Sequence, residues 1–102
     1  RVHRRQRQMC IRDRIIAFDA LNGIEKWRNS SFKFRKISEL IFIGNNIYFG
    51  DLEGYLHKLN AQTGETIGQQ ATELEEIVQI EARSGRLIAQ DSSGSLSAFD
   101  LN

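Results

Sequence analysis

The amino-acid sequence predicts an all-β fold, a run of β-propeller blades, on three observations. Asp51-Leu52-Glu53-Gly54-Tyr55-Leu56-His57-Lys58-Leu59-Asn60 returns forty residues later, without a gap, as Asp91-Ser92-Ser93-Gly94-Ser95-Leu96-Ser97-Ala98-Phe99-Asp100. An earlier copy is visible where Ala17-Phe18-Asp19 and Gly23 match Lys58-Leu59-Asn60 and Gly64 at a spacing of 41. Between these marks the chain consists of short apolar runs separated by glycine and asparagine turns, with no proline in any of them. A period near forty built from strands and turns is one propeller blade per repeat. The expected architecture is about two four-stranded antiparallel blades, a fragment of a larger propeller, because closing a ring takes roughly four to eight blades.

Each strand follows from its flanking turn chemistry. Ile15 to Asp19 is turned by Asn22-Gly23 into Ile24 to Arg28, and Leu40 to Ile43 passes through Gly44-Asn45-Asn46 into Ile47 to Phe49. Asp51 to Gly54 turns the chain into Tyr55 to Asn60, and Gln62-Thr63-Gly64 turns it into Glu65 to Gln69. The last unit repeats the order: Ile77 to Ala82, Ser84-Gly85, Arg86 to Gln90, Asp91 to Gly94, Ser95 to Asp100. Repeats are thus expected near 15–38, 39–76 and 77–102. Glu73 to Ile77 is too short for a helix to stand against the period. Alternation places Tyr55, His57 and Leu59 on one sheet face and Leu56, Lys58 and Asn60 on the other. The same reasoning makes Phe32-Lys33-Phe34-Arg35-Lys36 a strand with aromatics and cations on opposite faces, a solvated pattern rather than a nucleic-acid surface.

Residues 1–14 stand outside the repeat. Arg4 to Asp13 can be back-translated as CGT CGG CAG CGT CAG ATG TGT ATA AGA GAC, a string that looks like a transposon-based library adapter, and is read as a translated scar rather than native protein. No apolar segment follows it, which excludes a secretory signal there. Taking its six arginines and one aspartate from the 14 basic and 13 acidic residues leaves 8 and 12, a net charge of −4. A mildly acidic remainder gives no footprint for nucleic acid or an anionic membrane. The only cysteine, Cys10, lies in the scar, so residues 15–102 hold no disulfide, thiol nucleophile or cysteine metal site.

The residues with chemistry read as structural. Asp51, Glu53 and Asp91 sit in Asp-x-Glu-Gly and Asp-x-x-Gly sequences that close tight turns, and three acids on two blades fall short of the six to eight oxygens that calcium takes. His57 has no second native histidine or cysteine to join it and is expected to be a half-buried, hydrogen-bonded strand residue. The serines lack a nucleophile-elbow context, and no glycine precedes a helix to cradle phosphate. No catalytic, cofactor-binding or metal residue is assigned. The residues singled out are the repeat positions Ala17, Asp19, Gly23, Trp27, Asp51, Gly54, Asn60, Gly64, Asp91, Gly94 and Asp100.

Ala17-x-Asp19-x-x-Asn22-Gly23-x-x-x-Trp27 resembles the tryptophan-docking motif of quinoprotein-type, PQQ-like propellers, with Asn22 where threonine is usual. The aspartate accepts turn N–H groups, the glycine admits positive φ, and the tryptophan is expected to lie across the neighbouring blade. The second repeat keeps Asn60, Thr63 and Gly64 but has Gly68 in place of the tryptophan, so packing there must rest on other apolar residues. Trp27-Arg28-Asn29-Ser30 through Arg35 and above all Gly50-Asp51-Leu52-Glu53-Gly54-Tyr55-Leu56-His57 resemble the C-terminal blades of the lipoprotein B subunits of the bacterial β-barrel assembly machinery. Prolines common at that family's blade starts are replaced by Ser38-Glu39 and Gln79-Ile80.

That resemblance implies an eight-bladed, non-enzymatic scaffold without cofactor, anchored by an upstream lipid to the periplasmic face of the outer membrane of a Gram-negative bacterium. Its partners would be the other machinery subunits and unfolded outer-membrane proteins, with no partner-binding residue carried over. The competing readings are a PQQ-dependent dehydrogenase, which would bind quinone and calcium on the propeller axis, and a PQQ-like repeat protein with another partner. Little more than two blades leaves open faces and edges, so the chain alone is expected to be unstable or to self-associate.

Overall fold

The computed structural model describes residues 6–11, 14–32 and 36–100. Ten antiparallel strands form three sheets: β1 (Gln6–Ile11), β2 (Arg14–Asp19) and β3 (Glu25–Asn29) in the first; β4 (Ile41–Ile43), β5 (Asn46–Gly50), β6 (Tyr55–Asn60) and β7 (Thr66–Ala71) in the second; β8 (Ile77–Arg83), β9 (Arg86–Asp91) and β10 (Leu96–Asp100) in the third. Within every sheet, strands that neighbour in sequence neighbour in space, the up-and-down order of a propeller blade. The second sheet carries the full set of four strands. The first sheet ends at Asn29 and the second begins at Ile41; the second ends at Ala71 and the third begins at Ile77.

Turn residues account for the reversals. Ser84 and Gly85 both take positive φ, 53° and 77°, the paired left-handed geometry of a two-residue hairpin. The stretch from Glu73 to Glu76 contains bends and no helix. One expectation fails: Phe32 lies in a turn and is buried, not on a strand, and residues 33–35 lie outside the described residues. Phe32 folds inward to seat against Phe49, edge to face at 4.8 Å between ring centres. That aromatic contact outweighs the extended pattern read from alternation. β1 lies in the segment read as adapter. Its pairing with β2, from Gln6 opposite Asp19 to Ile11 opposite Arg14, uses backbone groups that any proline-free hexapeptide offers, and so does not bear on its coding origin.

The core lies in two layers, one at each junction between sheets. Ile15, Ala17, Trp27, Phe32, Ile47, Phe49, Leu59 and Ala61 fill the first; Leu56, Leu74, Ile77, Ile80, Leu87 and Ala89 fill the second. The central sheet therefore buries both faces, with Phe49 and Leu59 turned to the first junction and Leu56 to the second. This is the period-2 alternation of a strand packed on both sides.

Gly50 fixes how closely the second and third sheets approach. A Cβ placed on it would overlap the Cγ2 and Cβ of Ile77, which is 1% exposed and has no room to retreat. Gly50→Ala is accordingly expected to destabilise the chain by about 1–3 kcal/mol, the usual cost of overpacking. Chemical denaturation checks this, and an unchanged midpoint would show that the junction can open by about an ångström at no cost.

Candidate functional site

The residues that could carry function converge on the turns and junctions that hold one blade to the next. In the first junction, Asp19 Oδ1 accepts the Leu21 amide at 2.8 Å, Gly23 donates its amide to the Asp19 carbonyl at 2.8 Å, and Asn22 Oδ1 accepts the Ile24 amide at 2.9 Å. Gly23 takes φ 75°, which lets the chain return as β3. Ala17 then faces Trp27 across the β2–β3 pair. The indole leaves its own sheet and docks on the second one: Nε1 donates to the Ala61 carbonyl at 2.9 Å, and the ring covers Gly64, where any Cβ would collide with it. Asn29 adds a hydrogen bond from Nδ2 to the Gly64 carbonyl at 2.7 Å. The Asn60 turn that receives them repeats the Asp19 turn, with Asn60 Oδ1 accepting the Gln62 and Thr63 amides at 2.7 and 3.2 Å, and Gly64 at φ 78°.

The Asp51 and Asp91 turns are built alike. Asp51 Oδ1 accepts the Glu53 and Tyr55 amides at 2.9 and 3.0 Å; Asp91 Oδ1 accepts the Ser93 and Ser95 amides at 2.9 and 2.9 Å. Gly54 and Gly94 close these turns with φ 84° and 96°. The second carboxylate oxygens diverge. Asp91 Oδ2 accepts the Glu75 amide at 2.9 Å, tying the entry to the third sheet onto its own hairpin. Asp51 Oδ2 accepts a hydrogen bond from His57 Nε2 at 2.7 Å, both side chains being at most 1% exposed. His57 is thus fully buried rather than half-buried. Its ring stacks on Phe49 at 5.1 Å and meets Phe32 at 4.7 Å, and its Nδ1 has no hydrogen-bond partner among the described residues. The β5–β6 register sets this arrangement by placing Phe49 opposite His57.

Sequence reasoning took Asp51 and His57 as separate structural residues and missed that they form one buried pair. Two strand positions beyond Tyr55 on the same face, His57 points back at the turn that begins its own strand; that spacing was the available signal. Asp100, the last repeat position, lies at the end of β10 and is ion-paired with Arg86 at 3.3 Å.

Electrostatics follow from these partners. Burial pushes the Asp51 carboxyl up, but the His57 donor and the Tyr55 and Glu53 amides outweigh it and hold the group below the ordinary carboxylate range. The Glu75 amide and the Ser93 hydroxyl bring Asp91 down to about 2. Such carboxylates are anchors for backbone, with their lone pairs committed to turn donors. Among the described residues, no group of three or more His, Cys, Asp or Glu side chains is placed to hold a metal ion. No described helix is long and apolar enough to cross a membrane.

No family model matches the chain. It is 31% identical over 87 residues to the outer membrane protein assembly factor BamB of Moranella endobia, and 31% identical over 88 residues to BamB of Yersinia pestis, covering 85% of this chain in each case. The crystal structure of BamB from Moraxella catarrhalis superposes with a TM-score of 0.84 at 27% identity, over 94% of this chain and 29% of that one. The chain spans 22% of the length of the curated relatives it matches.

Proposed function

We propose, for a chain whose sequence and fold are those of BamB-like propeller blades, a part in the assembly of outer-membrane proteins as a rigid, non-catalytic scaffold. One observation carries this reading: likeness to the assembly factor extends through sequence and three-dimensional structure over most of the chain. The site chemistry supports it. Asp51 and Asp91 spend their carboxylate oxygens on turn amides and a buried histidine, and Trp27 spends its indole N–H on the next sheet. Groups so committed make a stiff body that presents short loops to partners.

In this role the blades sit within a larger PQQ-like propeller, lipid-anchored at the periplasmic face of the outer membrane. There they meet other subunits of the barrel-assembly machinery and unfolded outer-membrane proteins, with no cofactor. Residues 1–14 are foreign to it. Grafting residues 15–102 into the Escherichia coli BamB in place of its matching segment tests this. In cells lacking their own BamB, the graft is expected to restore outer-membrane β-barrel levels and the permeability barrier. A graft that accumulates in protease-resistant form yet restores neither would sink the proposal.

A further inference from the structure

The turn that leads into Trp27 holds the chain's single Asn-Gly step, Asn22-Gly23; the asparagines at 29, 45, 46 and 60 precede Ser30, Asn46, Ile47 and Ala61. Glycine leaves its own amide nitrogen open to close approach, because it has no Cβ. Asn22 does nothing here that requires a carboxamide. Its Oδ1 accepts the Ile24 amide at 2.9 Å, and in the second repeat the Thr63 hydroxyl accepts the Glu65 amide in the same place, at 3.3 Å.

The main-chain bonds of the two turns match as well. Gly23 donates to the Asp19 carbonyl at 2.8 Å and Gly64 to the Asn60 carbonyl at 2.7 Å, while Asp19 and Asn60 donate to the Ile24 and Glu65 carbonyls, each at 2.9 Å. A hydroxyl therefore serves this turn as well as a carboxamide, and what the carboxamide adds is an electrophilic carbon. Asn22 is exposed. Thr63 is exposed too, although Trp27 docks the first sheet on its turn, so water reaches this position even at a completed junction.

Two contacts set the reactivity of Asn22, in opposite directions. The Ile24 N–H sits on Oδ1, where negative charge builds when a nucleophile adds to Cγ, and so favours the addition. The Gly23 N–H is engaged by the Asp19 carbonyl, which withholds the nucleophile while the turn is closed. Reaction must wait for the turn to open, a local event that costs less than global unfolding. Trp27 opposes that opening, because it fixes β3 both to Ala17 of β2 and to the Ala61 carbonyl of the second sheet.

We propose that Asn22 is a site of spontaneous deamidation to isoaspartate, gated by opening of the turn from Asp19 to Ile24, and that the modification undocks Trp27. The Gly23 nitrogen gives its proton to a solvent base and bonds to Cγ of Asn22. The Cγ–Nδ2 bond breaks, and Nδ2 leaves as ammonia with a proton taken from water. A water molecule then opens the cyclic imide. Breaking its bond from nitrogen to the main-chain carbonyl carbon leaves isoaspartate, and breaking the bond to Cγ leaves aspartate; no oxidant or reductant takes part. Isoaspartate adds an atom to the main chain between β2 and β3 and a negative charge between Asp19 and Glu25. Trp27 then cannot keep both its register opposite Ala17 and its bond to Ala61. The inference goes beyond the assembly role and stands or falls separately from it.

The full chain is incubated at mildly alkaline pH in water enriched in heavy oxygen. Its tryptic peptide 15–26 is then followed by mass spectrometry, with fragmentation that separates aspartate from isoaspartate. Asn22 is expected to convert mainly to isoaspartate carrying one heavy oxygen, at least several-fold faster than Asn29, Asn45, Asn46 or Asn60. In Trp27→Ala the turn opens more readily, and the rate should rise roughly tenfold or more, whether that variant is loosened or unfolded. Trp27 is the only tryptophan, so chain carrying isoaspartate, separated by ion exchange, should emit further to the red than unmodified chain from the same incubation. Asn22→Thr should show neither change. An Asn22 that reacts no faster than the other asparagines overturns the proposal. A rate unchanged in Trp27→Ala overturns the gating, and identical emission from the separated forms overturns the undocking.

Discussion

Replacing Trp27 with alanine is expected to destabilise the chain by about 3–5 kcal/mol, the range for deleting a buried aromatic side chain, and to loosen the first sheet from the second. The indole is 9% exposed, donates to the Ala61 carbonyl across the junction, and belongs to the same apolar cluster as Ile47, Phe49 and Leu59. Its loss removes that packing and leaves the carbonyl to find another donor. The measurement is denaturant unfolding combined with amide exchange, in which the β2–β3 amides should lose protection before those of β5–β6. Gly64→Ala supplies the cross-check. In the parent it suffers both the left-handed backbone, about 1–2 kcal/mol for a residue with a Cβ, and collision with the Trp27 ring. In a Trp27→Ala background only the backbone part remains, so Gly64→Ala should cost distinctly less there. Additive effects, or a Trp27→Ala cost below about 1 kcal/mol, would show that the ring merely rests on the second sheet.

The docking of Trp27 was legible in the sequence because the turn that carries it recurs at a fixed spacing, with the accepting side chain at 19 or 60 and the positive-φ glycine at 23 or 64, although the ring itself does not recur. The strands from β2 onward were legible for the same reason, and their observed bounds differ from the expected ones by a residue or two at most ends, where pairing rather than composition decides. The strand read across Phe32 to Lys36 was not a strand where it is described. A window of alternating residues cannot reveal that Phe32 has a partner in Phe49 and His57, and those lie in another repeat. The Asp51–His57 pair was hidden for a related reason. Each residue had an adequate local explanation, and only the folded turn from Asp51 into β6 brings the ring to the carboxylate.

Asp51→Ala is expected to cost about 3–5 kcal/mol, because it strips the donor His57 Nε2 of its partner inside the core, a loss of the size seen when one member of a buried pair is removed. The Glu53 and Tyr55 amides lose their acceptor at the same time. The pair also predicts the acid limb of the stability curve. A carboxyl whose folded pKa lies below its unfolded value, near 3.9, stabilises the fold at pH values above that number. The contribution shrinks as pH falls through the interval between the two values and is gone below the folded one. Asp51 is held down in this way, and Asp91 lies at about 2. These two carboxyls should therefore make stability fall between about pH 4 and 2. Asp51→Asn and Asp91→Asn should each lower the plateau and flatten that fall, since an amide has no proton to gain, and the two changes together should flatten it further. An acid limb that keeps its full slope in both variants would place the responsible carboxyl elsewhere and reduce the buried pair to a packing contact.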